Sequence, residues 1–118
     1  MNRTLQIFGT ALVLLTVFDL PWLFLISGTA QKLVLRIQGS ELQMRLAPAI
    51  VVYLALAYLV MQVETPLEAF KMGVAVYAVY DFTNAALFKN YTLSFAIMDS
   101  LWGGVLLAMV RYALNRIF

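Results

Sequence analysis

The chain contains no cysteine and no histidine. The first absence excludes disulfides, iron–sulfur ligation and thiol chemistry, and leaves the redox compartment open. The second removes the usual imidazole metal ligands and the side chain that most readily changes charge near neutral pH. Charge is scarce too. Only 12% of the 118 residues are Asp, Glu, Lys or Arg, against about 25% in a soluble globular domain. So few charges cannot cover a water-facing surface. What fills the chain instead is apolar sequence, 64% of all residues, with a mean hydropathy of +0.89. Long apolar runs separated by clustered charges point to an integral membrane protein. The net charge of +2 and the pI of about 9.1 come from residues at the ends of those runs, and imply no nucleic-acid surface.

Four apolar segments follow from hydropathy, Leu5–Ser27, Leu46–Val63, Leu67–Phe88 and Tyr91–Tyr112. Each is near the ~20 residues needed to cross the hydrocarbon core. The expected fold is all-α: a single polytopic domain, 1–118, with four transmembrane helices in an antiparallel bundle. Their expected bounds are about 5–27, 41–63, 67–88 and 91–113. Arg3 before the first run, and Gly28-Thr29-Ala30 after it, imitate a signal peptide. Its apolar part exceeds the ~7–15 residues of a signal core, and it holds Asp19 and Pro21, so a retained helix is expected.

Glu64-Thr65-Pro66 joins spans two and three, with Pro66 suited to a first helical turn, and Lys89-Asn90 joins spans three and four. Both links force antiparallel hairpins. The loop from Gly28 to Arg45 is longer. Residues 30–38 mix Leu33, Val34, Leu35 and Ile37 with Lys32 and Arg36, which reads as an interfacial amphipathic turn within an interfacial loop 28–40. Gly39 breaks the chain, and Ser40-Glu-Leu-Gln43 reads as a capping box that starts the second helix. The face holding the N-terminus, the 64–66 turn and the C-terminus is side A; the opposite face is side B. Arg3, Lys71, Arg111 and Arg116 fall on side A, and Lys32, Arg36, Arg45 and Lys89 on side B. That even split leaves the orientation undetermined by the positive-inside rule.

Three acids lie deep inside the spans, Asp19, Asp81 and Asp99. Each costs about 2.5–3.5 kcal/mol near the middle of a bilayer. Asp19 stands eight residues before the side-B end of span one, Asp81 seven before that of span three, and Asp99 eight after the start of span four. At about 1.5 Å per residue, all three sit roughly 10–12 Å below side B. Tyr53 of span two falls at the same level. Gly73, Tyr77, Asp81, Asn84 and Phe88 form one helical stripe, with Tyr80 and Thr83 close by; Asp99, Trp102, Gly103 and Leu106 form another. Spans one and four share Asp-x-x-Trp, as Asp19–Trp22 and Asp99–Trp102. Their opposite directions would suit an inverted pseudo-repeat, although a two-residue match also arises by chance. Trp22 and Trp102 suit interface anchors or core before ligand contact.

No Lys or Arg lies at that depth. The acids must therefore be protonated, share protons, hydrogen-bond to neutral donors, or bind a cation, whose identity as proton or metal is undefined. The competing reading is a neutral network that only joins the helices, worth about 0.6 kcal/mol per hydrogen bond. Ala69 and Gly73, then Ser100, Gly104 and Ala108, have the small-xxx-small spacing that lets helices approach closely, within the bundle or between copies.

Tyr80-Asp81-Phe-Thr83-Asn84, followed by Asp99-x-x-Trp102-Gly103, resembles the signature of a family of small four-helix membrane proteins of bacteria and some large viruses, a domain of unknown function. Asp19-x-x-Trp22-Leu23 and Gly73 also fit that pattern, and Pro21 departs from it. The resemblance covers essentially the whole chain. It implies the four-helix fold and a membrane location, bacterial inner membrane or a host or virion membrane, and it implies no activity.

The residues themselves support a small proton- or cation-linked transporter or channel. Asp81 and Asp99 are its expected central carboxylates, Asp19 completes the site, and Tyr80, Asn84 and Tyr53 donate hydrogen bonds or line the path. Four helices barely enclose a solute path, so a homo-oligomer is expected. A non-transporting assembly protein is the alternative. An intramembrane enzyme, or a protein binding a lipid or pigment against Trp22 and Trp102, ranks last, because no Ser/His, Cys/His or HExxH arrangement is present. No cofactor is expected; the expected partners are the lipid bilayer, a proton or small cation, and further copies of the chain.

Overall fold

The computed structural model describes residues 2–118 and folds them into four α-helices: α1 (Arg3–Gln38), α2 (Leu46–Met61), α3 (Pro66–Leu87) and α4 (Leu93–Ile117). Helices α1 and α4 are long and apolar enough to cross a membrane, and α2 is a shorter apolar helix.

The interfacial loop expected at 28–40 is corrected: residues 28–38 continue α1, which is 36 residues long. At about 1.5 Å per residue that is ~54 Å, far more than a ~30 Å hydrocarbon core. Hydropathy falls at Lys32 and Arg36, yet the weakest helix former at the junction is Gly28, worth about 1 kcal/mol. Packing holds the extension in place. Leu33 and Ile37 lie in an apolar cluster with Phe95 and Tyr91 at the α3–α4 turn, and the Asn90 side-chain amide donates to the Arg36 carbonyl at 3.1 Å. Gly39 then ends the helix with φ 75°, and its N–H bonds the Leu35 carbonyl at 2.9 Å. That left-handed geometry is one that glycine adopts without a Cβ penalty.

The start expected for the second helix is corrected as well. Residues 41–45 are not helical, and the capping box read at Ser40–Gln43 does not form. The Gln38 amide takes the local carbonyls instead, donating to those of Ser40 and Glu41 at 3.2 and 2.8 Å. Helix α2 begins at Leu46, with Arg45 preceding it and no side-chain cap. A reciprocal capping box exists one helix later, between Thr65 and Glu68, with Pro66 in the first turn of α3.

Helices α3 and α4 pack along their whole lengths, whereas α1 lies against α2 and α4, and α2 barely meets α3. Glycine explains the close pair. A Cβ added at Gly73 would run into the backbone of Gly103, and one added at Gly103 would run into the Tyr77 ring. The small-residue face thus operates inside the chain, with Ala69, Gly73, Ser100, Gly103 and Gly104 buried and Ala108 partly so. At the side-A end, Arg111 of α4 donates to the Val60 and Val63 carbonyls at 3.1 and 3.0 Å, closing the C-terminus of α2. The core between these elements is Leu15, Leu56, Ala57, Val60, Leu106, Leu107 and Val110. Outside it, Phe24, Leu25, Val79 and Leu87 are each at least 70% exposed. A surface that apolar is suited to lipid rather than water.

Candidate functional site

Asp19 is buried in α1, 6% exposed, and both of its oxygens are occupied by neighbours from other helices. The Trp102 indole of α4 donates to Oδ1 at 2.8 Å, and the Tyr53 hydroxyl of α2 donates to Oδ2 at 2.5 Å. The companion motif returns the contact. Trp22 of α1 donates its indole N–H to Oδ1 of Asp99 on α4 at 3.2 Å. The two indoles stack on each other, with centroids 5.3 Å apart and planes inclined by 12°. Each Asp-x-x-Trp segment therefore pairs with the other, which the repeat in the sequence did not by itself establish.

Asp81 of α3 is fully buried. Its Oδ1 accepts from the Tyr91 hydroxyl at 2.6 Å, and Ser100 Oγ stands 3.4 Å from its Oδ2. Ser100 commits its own proton to the Ala96 carbonyl at 2.7 Å, so its contact with Asp81 is the weaker one. Asp99 directly precedes Ser100 on α4, which places its carboxyl beside Asp81 across the α3–α4 contact. Two carboxyls that come into direct contact hold a proton or a cation between them, since carboxylates are acceptors only. Among the described residues no group of three such side chains is placed to hold a metal ion.

Tyr77 lines one cleft with Asp19, Asp99 and Tyr53. Asn84 is half-buried on α3, one helical turn beyond Tyr80. Thr83 is exposed and makes no side-chain hydrogen bond, so it stands apart from the layer. Trp22 and Trp102 face each other. Two contributors escaped the sequence reading: Tyr91, taken as the end of a span, and Ser100, taken as packing. Tyr91 lies ten residues from Asp81 across a tight turn, a distance at which only the hairpin's closing geometry decides which way the ring points.

The layer borders a cleft of about 500 Å³ where α2 separates from α3. Asp19 and Asp99 open onto it with Tyr53, Tyr77 and Tyr80, among apolar walls that include Leu23, Val52, Leu56 and Val76. Asp81 does not line it.

A helical membrane protein with aspartates buried among tyrosine and tryptophan donors is the class that this fold and site define. The chain belongs to the family of predicted membrane proteins DUF2177, whose pattern matches residues 4–114. No curated protein and no solved structure matches it.

Proposed function

We propose that all four helices span the bilayer as an antiparallel bundle and that the carboxyl layer carries protons, making the protein a small proton-linked transporter. Helix α2, with 16 residues, is about 24 Å long and asks for some local thinning of the bilayer. The exposed apolar residues of α3, Val79 and Leu87, support a lipid-facing position for that helix despite Glu68, Lys71 and Asp81.

The observation that carries the reading is that the α3–α4 contact sets Asp81 beside Asp99, with the adjoining Ser100 touching Asp81. One carboxyl is fully buried and touches Tyr91 in the side-B turn, and the other opens onto the cleft. A tyrosine hydroxyl both donates and accepts, so Tyr91, Asp81 and Asp99 form a short relay from the turn to the cleft. A proton fits between two carboxyls that approach directly, whereas a dehydrated metal ion asks for more oxygen ligands than the pair presents.

Proteoliposomes carrying an internal pH dye, with a potassium diffusion potential to balance charge, test the proposal. Wild-type protein is expected to collapse an imposed pH gradient, and Asp81→Asn and Asp99→Asn are expected to abolish that flux. Equal flux from wild type and both variants would refute a role for the pair. A second reading, a polar layer that only joins the helices, draws on one observation: among the described residues every buried side-chain polar atom has a partner. It requires no flux from any protein and intact folding of both variants.

A further inference from the structure

We propose that the cleft between α2 and α3 binds a small lipophilic cation, an amine or onium with an apolar body, in exchange for the proton held by Asp99. The inference rests on the proton-linked reading above and names the class of solute that such a site would take.

The cleft volume, about 500 Å³, lies within the ~300–1,000 Å³ typical of small-molecule sites. Its walls are largely hydrocarbon, which suits an apolar body. Its charged groups are of one sign, Asp19 and Asp99, and no Lys or Arg lines it. An anion would meet carboxylates without a counter-charge, and a neutral solute would leave them uncompensated; a cation satisfies both the walls and the acids.

The two acids have different parts. Both oxygens of Asp19 already accept hydrogen bonds, from Trp102 and Tyr53, so Asp19 contributes field rather than a free contact. Asp99 has one oxygen committed to Trp22, and its other oxygen holds the shared proton that an approaching cation displaces. Tyr77 and Tyr80 lie at the same wall, where ring faces attract a desolvated cation. Because α2 barely meets α3, the mouth of the cleft opens sideways, and a lipophilic solute reaches it from the bilayer without crossing water.

The exchange balances in charge and protons. Before binding, Asp81 and Asp99 share one proton and carry one net negative charge. The cation pairs with Asp99, and the displaced proton leaves through Asp81 and Tyr91 to side B. Two carboxylates and one cation again carry one net negative charge, so the loaded layer holds no more charge than the empty one.

Tetraphenylphosphonium and tetraphenylborate, which share a shape and differ in the sign of their charge, are the probes, with the full chain in lipid nanodiscs. Phosphonium is expected to bind saturably and release close to one proton per ligand in weakly buffered solution. Its affinity is expected to fall about tenfold for each pH unit of acidification while that proton is being exchanged. Borate is expected not to bind. Asp99→Asn is expected to weaken phosphonium binding by at least about tenfold, the loss that follows removal of a desolvated counter-charge. Val52→Trp, which fills the cleft from its wall without altering an acid, is expected to do the same in protein whose helicity and melting are unchanged.

Equal binding of the two probes, or full binding by either variant, would overturn the proposal. PH-gradient flux in liposomes without phosphonium binding would overturn it and leave the proton relay standing. Phosphonium binding with neither proton release nor pH dependence would overturn the exchange and count against the shared proton itself.

Discussion

The indole rings of Trp22 and Trp102 lie face to face, and each donates its N–H to the aspartate three residues before the other. Helices α1 and α4 thus meet about a local pseudo-twofold axis. The exchange fixes their register, because a shift of one residue would turn each indole by about 100° away from its acceptor. The same contacts neutralise part of the cost of burying two acids, since indole N–H groups are donors only and find no other acceptor in an apolar wall.

Trp22→Phe and Trp102→Phe each keep an aromatic ring and remove one donor. Each is expected to destabilise the protein by about 0.5–2 kcal/mol, the range for a polar bond between membrane helices. Trp102→Phe should cost more, because its bond is shorter, 2.8 against 3.2 Å. The double variant should depart from additivity by about 0.5 kcal/mol or more, as residues in contact do. Equilibrium unfolding in mixed micelles measures all three, and strict additivity would show that the stack does not couple the two bonds.

Gly73→Ala and Gly103→Ala each place a methyl against an immovable neighbour, the Gly103 backbone in one case and the Tyr77 ring in the other. A loss of about 1–3 kcal/mol is expected at each, the usual penalty for overpacking. Gly9→Ala in α1 meets nothing within 4 Å and should stabilise by about 0.4–1 kcal/mol through the unfolded chain. Melting temperatures of the three variants in one detergent rank them, and a Gly73→Ala variant as stable as Gly9→Ala would contradict the close crossing.

Arg111 holds the last carbonyls of α2, and it is held in turn by Asn115, which accepts from its Nε at 3.1 Å. Arg111→Met is expected to cost about 1–2 kcal/mol, combining lost charged hydrogen bonds with lost charge at a helix C-terminus. Arg111→Lys should restore only part of this, because an ammonium cannot reproduce the guanidinium fork. Hydrogen exchange gives the local readout: faster exchange across residues 60–64 is expected in both variants, and no change there would remove the capping role.

A chain without cysteine accepts single-cysteine probes against a silent background. With α1 about 54 Å long, positions 32 and 36 should stand outside the hydrocarbon while position 24 stays within it. Lys32→Cys and Arg36→Cys are expected to react with a membrane-impermeant maleimide added to side B, and Phe24→Cys is expected to resist it. Equal protection of all three would mean that the extension of α1 lies in lipid.

Hydropathy and spacing alone determined the membrane character of this protein and its four helices, and they set an expected common level for Asp19, Asp81, Asp99 and Tyr53. These are one-dimensional properties, set by solvation of side chains and by the fixed rise of a helix. Local motifs were less dependable. The capping box at Ser40–Gln43 has the right residues, but a side-chain bond from Gln38 claims the backbone there. The end of α1 was misplaced because hydropathy senses where lipid gives way to water, and a helix passes that boundary when Leu33 and Ile37 find partners. Only the tertiary structure decided the pairings. Trp22 meets Asp99 and Trp102 meets Asp19 because α1 packs on α4, a neighbour that is 77 and 83 residues away for these bonds. Which helices touch depends on small residues that allow close approach and on loops that constrain direction. Those same choices leave α2 and α3 apart, and so leave a cleft beside the acids.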